Sequence, residues 1–199
     1  MPALQATVKC RIAEIKARGV RPLPARTSRG RTLPGILILL LLGGCSDDPP
    51  ATGAALEEEF RQLAEGFDSK TGARQITVDE LKQKLQGGGS LKLLDIREET
   101  EFKVAHLEGA VLLPPSEVAG AVLAFPQDTL VVTYCTAGYR SGLAAVELER
   151  RLGRKIYSLS GGIIRWFNRG EEVVDEREQA ADKIHPYSDD WKKYVTDRH

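Results

Sequence analysis

LVVTYCTAGYRSGLAAVELERRLG, residues 130–153, is the stretch on which the reading of the fold turns. Leu130 to Tyr134 form a short apolar, β-branched and aromatic run, the pattern of a strand buried on both faces. From Ser141 to Arg151 the composition changes to helix formers, and Gly153 supplies the stop. Between strand and helix lies a loop of a few residues, Cys135 to Arg140, so the chain sets a thiol at the tip of a buried strand and wraps a glycine-containing turn around it.

The same alternation extends outward. Leu91 to Asp95, Ala110 to Leu113 and Lys155 to Leu159 read as further strands, the second stopped by Pro114-Pro115. Thr77 is a plausible N-cap with Glu80 three residues on, opening a helix that Gly87-Gly88-Gly89 ends. Glu98 to His106 and Ser116 to Phe125 read as helices, and Ser160-Gly161-Gly162 turns into another that carries Trp166. Residues 54–66 read as an amphipathic helix with Leu56, Phe60 and Leu63 on one face, followed by a loop over 67–74. Strands alternating with helices predict an α/β fold with an open parallel sheet flanked by helices on both faces.

The first 44 residues differ from the rest. Eight basic side chains there face one acid, Glu14, and precede the apolar run Ile36 to Leu42. A basic segment, a short apolar run and small residues predict a secretory signal; the run is too short to remain as a comfortable membrane span. Leu42-Gly43-Gly44-Cys45 resembles the lipobox of bacterial lipoproteins, which implies cleavage before Cys45 and lipidation of its thiol. The implied location is a bacterial cell envelope, lipid-anchored and facing the periplasm, with Ser46 and Asp47 after the cysteine favouring the outer membrane. The whole chain carries 28 basic and 28 acidic residues, so residues 45–199 retain 20 against 27, a net charge of −7. An acidic mature chain argues against nucleic acid as a partner. Of three cysteines, Cys10 leaves with the signal and Cys45 is lipidated, which leaves Cys135 as the single thiol and permits no internal disulfide. The predicted organisation is a signal peptide (1–44), lipidated Cys45 and tether (45–53), an N-terminal helix and loop (54–74), the α/β domain (75–170) and a C-terminal extension (171–199), with Tyr187 and Trp191 packing back on the domain.

Ligands of open parallel sheets bind beyond the carboxyl ends of the strands, where Cys135 is placed. The helix expected to begin near Ser141 offers unpaired N–H groups and the positive end of its dipole, and the loop aims further amides at the same point. That environment favours a nucleophilic thiolate and cradles an anion beside the sulfur. Gly138 permits a backbone conformation that other residues resist, and Arg140 adds a planar, permanently charged donor group. The expected ligand is a small anion carrying an electrophilic sulfur, or a phosphoryl or arsenyl group. Taken alone, a cysteine in this position can also be a buried small hydrophobe.

Four motifs carry a resemblance to a known family. They are Leu94-Asp95-Ile96-Arg97 with Glu101-Phe102; His106-Leu107-Glu108-Gly109-Ala110; Tyr134-Cys135 through Gly138, Arg140 and Ser141; and Leu159-Ser160-Gly161-Gly162 with Trp166. In this order and spacing they resemble the rhodanese family of sulfurtransferases, from about Ile76 to Gly170. The resemblance implies a rhodanese-like α/β fold and a catalytic Cys135 that takes sulfane sulfur as a persulfide. It implies a substrate loop of Thr136, Ala137, Gly138, Tyr139 and Arg140, and structural roles near the site for Asp95, Arg97 and His106. It implies neither cofactor nor metal, a small sulfur-containing anion as donor, an external thiol or cyanide as acceptor, and a monomer. The chain departs from the family at Glu108, where proline is usual, at Leu112-Leu113-Pro114-Pro115, and at the uncharged Thr136 and Tyr139, which count against thiosulfate as the preferred donor. Two other readings stand beside it: a membrane-tethered, non-enzymatic sulfur-binding or sensor module, and a cysteine-dependent phosphatase or arsenate reductase. The four-residue gap between Cys135 and Arg140 is short for the latter.

Overall fold

The structure, a computed structural model, describes residues 52–198. The predicted signal peptide, Cys10 and Cys45 lie outside the described residues. The elements run α1 (Gly53–Thr71), β1 (Arg74–Ile76), α2 (Val78–Gln86), β2 (Leu91–Asp95), α3 (Glu99–Val104) and β3 (Ala110–Leu112). A single 3-10 turn (Val118–Gly120) follows, then β4 (Leu130–Tyr134), α4 (Tyr139–Leu152), β5 (Ile156–Leu159), α5 (Gly162–Asn168) and α6 (Asp189–Lys192). The five strands form one parallel sheet in the order β1-β5-β4-β2-β3, the α/β architecture expected.

Alternate side chains of each strand point to opposite faces, and here both faces are dry. Leu93, Val132, Tyr134 and Leu159 join Leu81, Ile163, Ile164 and Phe167 in one core. Leu94, Val131 and Ile156 join Val118, Ala144, Ala145 and Leu148 of the other face in a second core. Burying both faces of β4 explains why its sequence is a continuous apolar run. After β3 the chain crosses back past β2 to form β4, so the order reverses between β2 and β4. The crevice at such a reversal, beyond the strand ends, is where open α/β sheets hold ligands.

Several local readings agree with the structure. Thr77 caps α2 in a full capping box, its hydroxyl accepting from the Glu80 N–H while the Glu80 carboxylate accepts from the Thr77 N–H. Others need correction. Residues 67–74 are not a loop: α1 runs on to Thr71, Gly72 caps it in a left-handed conformation, and Arg74 opens β1. Leu63 is not on the packed face of α1, which buries Phe60 and Ala64. Ser116 to Phe125 is not a helix beyond one 3-10 turn. After the turn alternate side chains face inward: Ala121, Leu123 and Phe125 pack, partly buried, on the core while Val122 is 92% exposed, a period of two that a helix does not give. The segment's carbonyls at Val118 and Ala121 are bound instead by the Arg151 guanidinium reaching across from α4. Helix α4 begins at Tyr139 rather than Ser141.

The C-terminal extension packs back on the domain, as expected. Tyr194 packs tilted against Phe60 with ring centres 5.4 Å apart and donates its hydroxyl to Glu59 at 2.6 Å, tying the extension to α1. His106 and Val174 exchange backbone hydrogen bonds, fixing the start of the extension to the end of α3.

Candidate active site

Cys135 follows β4 directly and is 2% exposed, the free cysteine among the described residues. Its Sγ accepts a hydrogen bond from the Gly138 N–H at 3.3 Å. Gly138 has φ 108° and is the N-cap of α4, so this amide belongs to the turn that starts the helix. The Ser141 hydroxyl lies 3.6 Å from Sγ and 3.1 Å from the Gly138 carbonyl, and 2.9 Å from the Ser158 hydroxyl. A hydroxyl donates one proton and accepts two. With Ser158 donating to Ser141, the Ser141 proton is available to the sulfur. Both groups place a donor hydrogen within reach of the sulfur.

The loop is held open from outside. The Ile163 and Ile164 N–H groups at the start of α5 donate to the carbonyls of Cys135 and Thr136 at 2.8 and 3.1 Å. With those carbonyls drawn outward, the Gly138 amide is left to face the sulfur. The approach is close: a Cβ on Gly162 would sit 2.2 Å from the Cys135 carbonyl oxygen, and Gly162 itself has φ 54°. The Ser160-Gly161-Gly162 run is therefore the rear clamp of the cysteine loop.

Arg140 is placed differently from the simple expectation of a free anion-binding group. Its Nη1 and Nη2 donate to both oxygens of the buried Glu101 carboxylate, at 2.7 and 2.8 Å, and Nη2 also reaches Thr136 Oγ1 at 2.8 Å. Thr136 donates to the same carboxylate at 2.9 Å. Burial alone would raise the Glu101 pKa, but the Arg140 fork, the Glu98 N–H and Thr136 outweigh it and hold the carboxyl below its ordinary range. Arg140 is held protonated in turn: burial opposes its charge, and the Glu101 carboxylate overcomes that. Glu101 has a role the sequence did not announce. It stands at the third position of α3, where its carboxylate also accepts from the Glu98 N–H at 3.1 Å, and that position in a helix-start box is the local signal it carried.

Asp95 and Arg97 form a fully buried ion pair at 2.6 Å, and Arg97 also donates to the Ala105 carbonyl at 2.7 Å. Burial disfavours the Arg97 charge, and Asp95 beside it more than compensates. The pair ties the end of β2 to the end of α3. His106 stacks on Phe102 with ring centres 3.7 Å apart, its Nδ1 lies 3.0 Å from the Phe102 carbonyl, and its Nε2 faces Glu178 at 3.5 Å. All three residues stand outside the lining of the cavity over the sulfur.

That cavity measures about 160 Å³ and brings together Cys135, Thr136, Ala137, Tyr139 and Arg140. Three further walls come from outside the loop: Phe67 of α1, and Tyr187 and Trp191 of the C-terminal extension. Phe67 lies 5.5 Å from the Tyr139 ring and 6.2 Å from Trp191. Tyr187 lies over the Arg140 guanidinium at 4.7 Å. Tyr187 and Trp191 were expected to pack on the domain; their place at the mouth of this cavity, and that of Phe67, was not legible in the sequence. The arrangement is a shielded sulfur with donors aimed at it, at the bottom of a small aromatic-rimmed opening.

A family model described as the Rhodanese-like domain matches residues 77–169. The chain is 38% identical over 93 residues to a Mycobacterium tuberculosis protein named "Probable adenylyltransferase/sulfurtransferase MoeZ", covering 46% of this chain and 24% of that one. It thus spans about a quarter of that relative's length. It is 31% identical over 100 residues to a sulfurtransferase of Allochromatium vinosum, covering 50% of this chain and 94% of that one. Among solved structures, a thiosulfate sulfurtransferase from Pseudomonas aeruginosa superposes with a TM-score of 0.52 at 19% identity, over 64% of this chain and 25% of that one, a likeness of fold.

Proposed function

The chain belongs to the rhodanese-like family, and from that premise we propose that it is a sulfurtransferase acting through a persulfide on Cys135. The observation that carries the reading is the Cys135 sulfur at the end of β4, receiving the Gly138 N–H at the start of α4 and opening into the small cavity. The sulfur attacks the sulfane sulfur of a small donor anion. The donor's leaving group departs with the bonding electron pair, and the transferred sulfur stays on Cys135 as an anionic persulfide. The Gly138 amide, the Ser141 hydroxyl and the dipole of α4 stabilise negative charge at this point before and after transfer. The competing reading of a cysteine-dependent phosphatase or arsenate reductase finds less support, since four residues alone separate Cys135 from Arg140, and Arg140 is turned onto Glu101.

With Cys45 lipidated and Cys10 removed, the mature chain holds no second thiol to resolve the persulfide as an internal disulfide. The sulfur therefore leaves by external attack, from cyanide, a small thiol or a thiol on a partner protein. The lipid on Cys45 holds the domain on a membrane surface of the envelope, facing the periplasm.

The test is thiosulfate:cyanide turnover, together with mass analysis of the Cys135 peptide after donor is added without acceptor. One added sulfur atom on that peptide is the expected result, with both signals lost in Cys135→Ser. Turnover that persists in Cys135→Ser refutes the reading.

A further inference from the structure

The cavity above Cys135 is built from two sources. Its floor is the cysteine loop; much of its rim is supplied by α1 and the C-terminal extension, which flank the segment the family model matches. Those flanks are fixed against one another as well as against the domain. Phe67 meets Trp191, Trp191 meets Tyr194 at 5.7 Å, and Tyr194 is bonded to Glu59 and packed against Phe60. The rim is thus part of the packed structure. Tyr187 reaches it with a left-handed backbone, φ 75°, uncommon for a residue with a large side chain. Its N–H donates to His185 Nδ1 at 3.0 Å, which helps to hold that conformation.

The rim is aromatic on all four of its larger members: Phe67, Tyr139, Tyr187 and Trp191. Among the described residues, the one charged group in the lining is Arg140, and its fork is closed on Glu101. Its charge is neutralised at contact distance, and Tyr187 covers it. Such a site offers little to an inorganic dianion beyond the loop amides. It offers apolar faces to a ligand that has apolar surface to bury. The cavity's 160 Å³ also sets a size. An apolar cavity of about 150 Å³ admits one benzene ring, so a nucleotide or coenzyme-sized group is too large to be enclosed.

Building on the sulfurtransferase reading, we propose that Phe67, Tyr187 and Trp191 determine specificity and select an organic thiosulfonate, a monoanion with one compact apolar or aryl group, over inorganic thiosulfate. The Cys135 thiolate attacks the terminal sulfur of the R–SO2–S⁻ donor. The bond between the two donor sulfurs breaks, its electron pair leaves with the sulfinate R–SO2⁻, and the terminal sulfur remains on Cys135 as Cys–S–S⁻. Two negative charges enter and two leave, and no further oxidant or reductant takes part. The R group lies in the aromatic rim while the sulfonyl oxygens meet the loop amides.

The experiment compares kcat/KM for benzenethiosulfonate and for thiosulfate, each with cyanide as acceptor, on the full chain in detergent. The variants are Tyr187→Ala and Trp191→Ala, with circular dichroism to confirm folding. Tyr187 is 55% exposed, so its truncation leaves the core intact. The aryl-to-thiosulfate ratio should be about tenfold or more in the parent chain, the scale on which apolar pockets discriminate. It should fall several-fold toward one in each variant. A parent ratio of one or below, or a ratio unmoved in both variants, overturns the proposal while leaving thiosulfate turnover, and so the sulfurtransferase reading, intact. Absence of turnover with both donors overturns both.

Discussion

Replacing Gly162 by alanine tests the rear clamp of the cysteine loop. The methyl group would lie 2.2 Å from the Cys135 carbonyl oxygen and 2.7 Å from that of Thr136, both backbone atoms. Real Cβ contacts under 3.0 Å essentially do not occur, so the start of α5 must back away by close to an ångström. That displacement breaks or stretches the bonds from the Ile163 and Ile164 amides, now 2.8 and 3.1 Å. Each buried group left unpaired costs about 1–3 kcal/mol, and the left-handed backbone adds about 1–2 kcal/mol for a residue with a Cβ. With one group left unpaired per bond and the backbone share added, the expected loss is about 3–8 kcal/mol, measured by urea denaturation. The control is Gly153→Ala at the end of α4, where φ is 63° and nothing lies within 4 Å of the added methyl. It should lose only the backbone share, about 1–2 kcal/mol. Freed carbonyls would also let the loop turn its amides from Sγ, so persulfide formation in Gly162→Ala should slow about tenfold or more. If the two variants lose equal stability and Gly162→Ala keeps its full rate, α5 does not clamp the loop.

Three further outcomes are expected. A double-mutant cycle of Glu101→Gln and Arg140→Gln should give a coupling of about 1.5–3 kcal/mol, the range of charged hydrogen bonds, and a value near zero would mean that the pair is incidental. Because the Glu101 pKa is lowered on folding, the stability it contributes is complete above the ordinary carboxylate range and is lost as pH falls through its lowered folded value. Thermal melts should therefore show the gap between the parent chain and Glu101→Gln closing as pH falls below the ordinary carboxylate range and through the lowered folded value, and a constant gap would contradict the assignment. Cys45→Ala should abolish palmitate labelling and partition into detergent; retention of both would remove the lipid anchor from the account.

What the sequence determined by itself was local. The capping box of Thr77 and Glu80, the apolar run of β4 and the helix stop at Gly153 each depend on residues a few positions apart, so each is readable without knowing the fold. Alternating strands and helices gave the parallel sheet, and the apolar run Leu130 to Tyr134 placed Cys135 at a strand end. Helix-forming composition failed at Ser116 to Phe125, because a helix in a folded protein is held chiefly by a buried stripe, and the core here takes the alternate residues Ala121, Leu123 and Phe125 instead. β1 was missed because three residues, Arg74 to Ile76, carry too little pattern, and their pairing with β5 lies more than eighty positions away. The tertiary structure alone decided the chemistry's surroundings. Glu101 and Arg140 are 39 positions apart, and their closure turns a free cation into a neutral pair. Phe67 and Trp191 lie at opposite ends of the domain sequence and meet over the same sulfur. No periodicity or spacing along the chain encodes such meetings, because they depend on how the finished sheet carries its two flanks to one edge of the site.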